Sequence, residues 1–165
     1  MKVIISIYAI TAIGLMSFTT VQQAEFYDFF KNAYAQSFSG LETLKDAKGS
    51  WPDKSSVKNF DVCEFSFNKE RNVQEMVLRK VFTSETSSTE MMASIEKELN
   101  VMLPNWQYKR VKNQNADGTR AISYIYNSDD LKVRATYPTV DLDVVKHDNT
   151  WEIMVRLFEP GVTRK

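Results

Sequence analysis

Cysteine and histidine are the side chains best suited to nucleophilic and base chemistry near neutral pH, and this chain holds one of each, Cys63 and His147. A cysteine nucleophile needs a base or a positive charge beside it to form thiolate. Cys63 shares its alternation with Phe65 and Phe67, which is the place of a small buried hydrophobe. His147 sits with Asp148 and Asn149 in a turn-forming stretch. The pair therefore reads as structural, and no catalytic residue is assigned.

Metal and carboxylate chemistry fare no better. With one histidine and one cysteine, a tetrahedral zinc site would need two or more carboxylates. The densest acidic spots are Asp129-Asp130 and Asp141-Leu142-Asp143. Neither has the ligand spacing of a calcium loop. Asp129-Asp130 follows Asn127-Ser128, as turn formers do. Asp141 and Asp143 alternate with Val140, Leu142 and Val144, the pattern of a solvated strand face. No metal and no cofactor is expected. A pair of acids could support glycoside hydrolysis, but 21 acidic residues single out none, so a small hydrolase is the least favoured function. There is no Gly-x-Ser-x-Gly, phosphate-cradling loop or dinucleotide fingerprint, and only five glycines in all.

The aromatics carry more information. Seven tyrosines, three tryptophans and ten phenylalanines exceed what a small core requires. Trp106 with Tyr108, and Tyr124 with Tyr126 beside Ile122, are the candidate ligand or partner contacts. They would line a groove for a small ligand or a peptide, or else form the sheet's core face beneath a helix.

The elements that must position these residues follow from periodicity. Helical spacing of Phe26, Phe30, Ala33, Tyr34, Ser37 and Phe38 predicts a first helix over Glu25 to Ser39, ended by Gly40. Lys45 to Lys58 is a polar loop anchored by Trp51-Pro52. Phe60 to Phe67 and Glu75 to Phe82 form a hairpin. A second helix runs from about Ser88 to Leu103 on the stripe Met92, Ile95, Leu99 and Met102. Ser87 and Glu90 have the spacing of its capping box, and Pro104 stops it. The last third alternates as strands: Trp106 to Val111, Ile122 to Tyr126, Leu131 to Tyr137, Val140 to Val145 and Trp151 to Leu157. Asp117-Gly118 is its strongest turn, and Pro138 bends the ribbon. Helix, two strands, helix and four or five strands give an α+β class. The expectation is a single domain, mainly an antiparallel sheet of about five to six strands with two helices packed on one face.

The N-terminus sets the compartment. Lys2, the apolar run Val3 to Met16 and a polar stretch to Ala24 have the order of a secretory signal peptide. The run is short of the roughly 20 residues that span a bilayer, and no membrane span is expected after cleavage. Cleavage is placed after Ala24; Ala33-Tyr34-Ala35 is the competing small-x-small match. Residues 1–24 are thus a signal peptide, 25–161 the domain and 162–165 a C-terminal tail. Loss of Lys2 leaves 20 basic residues against 21 acidic ones. A charge that balanced gives no long-range attraction for nucleic acid. The lone cysteine excludes an internal disulfide, so the core alone must hold the domain.

Phe38-Ser39-Gly40-Leu41 after a helix, a lone cysteine in the first strand and Leu103-Pro104-Asn105-Trp106 closing the second helix resemble a group of small exported bacterial α+β proteins of unknown function. The resemblance spans residues 36 to 110. It implies export and an α+β fold, and it carries over no functional residue.

Together these readings favour an exported, non-catalytic binding or interaction module of the bacterial envelope, periplasmic or secreted, whose partner is a protein or an envelope component. The alternative is a small-ligand carrier with an aromatic-lined cavity between helix and sheet, holding a small apolar ligand.

Overall fold

The computed structural model describes residues 26–53, 57, 59–103, 106–111 and 119–161, with the backbone alone for 106–111. The signal segment 1–24, the tail 162–165, the turn at Asp117-Gly118 and the stop at Pro104 lie outside the described residues. The order is a helix α1 (26–37), a 3-10 turn at Leu41–Leu44, β1 (Val62–Asn68), β2 (Val73–Phe82), α2 (Glu85–Met102), β3 (Trp106–Val111), β4 (Arg120–Tyr126), a one-turn helix α3 (Leu131–Arg134), β5 (Thr139–His147) and β6 (Thr150–Phe158).

The strands make one sheet in the order β1-β2-β6-β5-β4-β3, and every neighbouring pair is antiparallel. Two hairpins use tight left-handed residues, Asn72 at φ 55° and Asp148 at φ 44°. Asn and Asp are the non-glycine types that tolerate this region best. The chain leaves β2 near one edge and returns as β3 at the other, so α2 must cross the sheet between them, touching β2, β6 and β5.

The sheet's period of two and the helices' period of 3.6 meet in one core. One row across the strands is Phe65, Met76, Leu157, Val140 and Tyr124; the next is Cys63, Leu78, Val155, Leu142 and Ile122. Phe26, Phe30 and Ala33 of α1 and Met92, Ile95 and Leu99 of α2 pack on them. Two helices on an antiparallel sheet give the expected α+β domain.

Three local expectations are corrected. The second helix begins at Glu85, because Ser84 caps it by accepting a hydrogen bond from the Ser87 amide; the Ser87–Glu90 box is already inside the helix. Leu131 to Tyr137 is not a strand. The Asp130 side chain accepts from the Lys132 amide at 2.8 Å, and the Arg134 guanidinium donates to the Ser128 carbonyl, so this segment turns as α3. Leu131 and Val133 are exposed there and gain nothing from a sheet register. Asp141 and Asp143 are not solvated; they are 4% and 8% exposed.

Candidate functional site

Cys63 and His147 do not meet. Cys63 is on β1 and His147 ends β5, with β2 and β6 between them, a separation of about 14 Å from strand spacing alone. Burial, with Asp53 and Glu64 adding to it, pushes the Cys63 thiol up to about 12. His147 instead pairs with Glu152 at 3.1 Å. Among the described residues no group of three or more His, Cys, Asp or Glu is arranged to hold a metal ion.

The four aromatic candidates fall on one ladder. Trp106 is the Cα partner of Tyr126, and Tyr108 that of Tyr124. The pairing brings together residues about twenty positions apart in sequence. Tyr124 is 1% exposed and part of the core. Tyr126, two residues further along the same face, lies at the end of β4, where the core gives way to surface. Its ring is parallel to that of Tyr137, with centroids 3.6 Å apart. Tyr137 in turn meets Phe38 edge-on at 5.7 Å, and Phe38 meets Tyr34 edge-on at 5.4 Å. The Tyr126 hydroxyl beside it pushes the Tyr137 phenol up.

This chain of rings joins the end of α1, the segment after α3 and the end of β4. Phe38, Tyr126 and Tyr137 lie outside the buried core, and Phe38 is 46% exposed. Sequence reading missed Phe38 and Tyr137 as site residues. Phe38 reads from the sequence as part of the apolar stripe of α1, and Tyr137 as part of a strand that does not form.

Among the described residues the sheet's other face carries no helix and is covered by its own charges. Arg71, from the β1–β2 turn, lays its guanidinium 3.8 Å from the centroid of the Phe158 ring and donates to Asp141 Oδ2 at 3.1 Å. Arg156 lies 3.8 Å from the same oxygen and donates to Asp143 Oδ2. Burial raises the Asp143 carboxyl above its usual range, against the lowering effect of Arg156. Cross-strand partners on this face recur every two residues, which would have paired Asp141 with Arg156; Arg71 arrives from a turn and leaves no such signal. Between that turn and strands β4 and β5 lies a cleft of about 460 Å³.

No protein-family profile matches the chain, and no curated protein matches it. Among solved structures it is similar to CalU16 from Micromonospora echinospora, at 7% identity and a TM-score of 0.33, over 60% of this chain and 69% of that one.

Proposed function

We propose that the chain is an exported binding module that engages a protein or an envelope component through the aromatic end formed by Tyr34, Phe38, Tyr126 and Tyr137. The observation that carries this reading is that three of these rings lie outside the core yet contact one another in series across segments distant in sequence. Rigid, partly exposed aromatics supply contact area at low entropic cost and dominate binding energy at protein interfaces. The carrier alternative would place its ligand between helix and sheet, where Tyr124, Ile122 and Leu142 already pack with almost no exposure.

Export rests on the leader's composition. Ala33 is fully buried in α1, so a cut after Ala35 would strip Phe26 and Phe30 from the core, which favours the cut after Ala24. N-terminal sequencing of secreted or periplasmic material should read Glu25 first; soluble protein starting at Met1 would end the export reading.

Binding is tested by placing a photo-cross-linking phenylalanine analogue at Phe38 in the native host, and at Phe67, which is similarly exposed on the edge strand β1. A discrete adduct from Phe38 that Tyr137→Ser abolishes is the expected result. Identical adduct patterns from both positions would refute it.

A further inference from the structure

β1 has β2 on one side and, among the described residues, no strand on the other. The register says where its open hydrogen-bonding groups point. The Glu159 amide donates to the Gln74 carbonyl, continuing the β2–β6 register. Even-numbered residues of β2 therefore bond to β6 and odd-numbered ones to β1, because backbone groups alternate sides along a strand. Glu64, Ser66 and Asn68 lie opposite Val77, Glu75 and Val73, so their backbone groups are directed at β2. The N–H and C=O of Phe65 and Phe67 point out of the sheet edge. Among the described residues no turn, loop or cap hydrogen bond reaches them.

An open edge is a template for pairing unless charge, proline or cover blunts it. The far edge is blunted, since β3 carries Lys109 next to Arg110. β1 has no proline and no basic residue, and its one charge, Glu64, is offset by Arg79 at 3.3 Å. Phe65 stacks on Trp51, with centroids 4.5 Å apart and planes 5° from parallel. Phe67, two residues on along the same face, is left 52% exposed. The Pro52 carbonyl lies against Cys63, 3.9 Å from its sulfur, which leaves Glu64 to Asn68 as the open stretch.

That stretch is complementary to itself. Turned about a two-fold axis beside Ser66, Phe65 faces the second copy's Phe67 and Phe67 faces its Phe65. These are the two positions with open backbone groups, and they make about four hydrogen bonds across the axis. On the opposite face Glu64 meets the second copy's Asn68, and Ser66 meets its counterpart, so no like charges oppose one another. A slip of one residue would set open groups against groups already bonded to β2. We propose that the β1 edge pairs antiparallel with the β1 edge of a second copy, joining two sheets into one and covering Phe67 with Phe65 and Trp51. So short a pairing buries less than the roughly 1,200 Å² of a standard interface, so the dimer is weak and concentration-dependent. The edge is separate from the aromatic end and stands independently of it.

Sedimentation velocity of the full mature protein, from about 10 μM to 1 mM, should move from monomer mass toward dimer mass. Phe67→Lys should keep the melting temperature, because the ring is half exposed, and should stay monomeric throughout. Disulfides read the register in a Cys63→Ala background. Ser66 and its counterpart form a non-hydrogen-bonded pair with Cα atoms about 4.5 Å apart, within reach of a disulfide. Ser66→Cys should therefore give a covalent dimer on mild oxidation, and this reads the pairing even if Phe67→Lys fails to fold. Glu64→Cys, displaced along the strand from its own counterpart, should not cross-link. Tyr137→Ser should dimerise as the wild type does. A protein that stays monomeric over the whole range overturns the proposal. So does a dimer that survives Phe67→Lys, one lost in Tyr137→Ser, or one that cross-links better through Glu64→Cys than through Ser66→Cys.

Discussion

Partial burial beside the Pro52 carbonyl, 3.9 Å from its sulfur, leaves the Cys63 thiol reluctant to ionise. Its usual value of 9.0 applies in the unfolded chain, and the folded chain holds the proton to about 12. Between those limits the folded state binds more protons, so stability falls as pH rises through the window. Urea titrations across it should show wild type losing stability relative to Cys63→Ala, and parallel slopes would count against this assignment. At neutral pH the native thiol should react with iodoacetamide far more slowly than the unfolded one, because thiolate is the reactive form. Arg156 makes the opposite case, a cation whose removal strands buried acids. Arg156→Ala should cost about 3 kcal/mol at neutral pH, since breaking a buried pair leaves a carboxylate uncompensated. The deficit should shrink in acid, because Asp143, already raised by burial, becomes neutral there. Calorimetry at two pH values reads both effects.

At the scale of elements, the start of α2 separates what was legible in the sequence from what was not. Ser84→Ala should cost about 1 kcal/mol, the worth of an N-cap, while Ser87→Ala should be close to neutral; chemical denaturation of the two variants distinguishes them. Both serines fit a cap by composition, and the choice was made by where β2 ends, which local pattern does not fix. The apolar stripes of α1 and α2 and the alternation of β5 and β6 were readable because each buries one continuous face. The segment Leu131 to Tyr137 alternates just as well, yet its apolar side chains have no layer to pack on, and the Asp130 cap decides the geometry. For the same reason the aromatic end was half visible. Tyr126 could be named from its strand, but Tyr137 reaches it only through the α3 turn, and Phe38 joins Tyr137 from 99 residues away. The cleft was hidden more deeply, since Asp141 looks solvated until the β1–β2 turn brings Arg71 over it.

For the molecule as a whole, the sheet's order concentrates its stability in one strand. β6 lies between β2 and β5 and contributes Trp151, Ile153, Val155 and Leu157 to the core. Leu157→Ala should cost about 2–5 kcal/mol, the range for a core leucine that leaves a cavity, with the denaturant slope unchanged. A truncation of equal size at Leu131–Val133, both exposed, should cost well under 1 kcal/mol. β6 is also the last strand in chain order among the described residues. Without it, the β1–β2 hairpin and the β3-β4-β5 ribbon have no shared neighbour, and neither can close the core beneath α1 and α2. Closure of the core therefore waits on residues 150–158, and a chain stopped short of Thr150 should be a substrate for proteases rather than a smaller version of the domain.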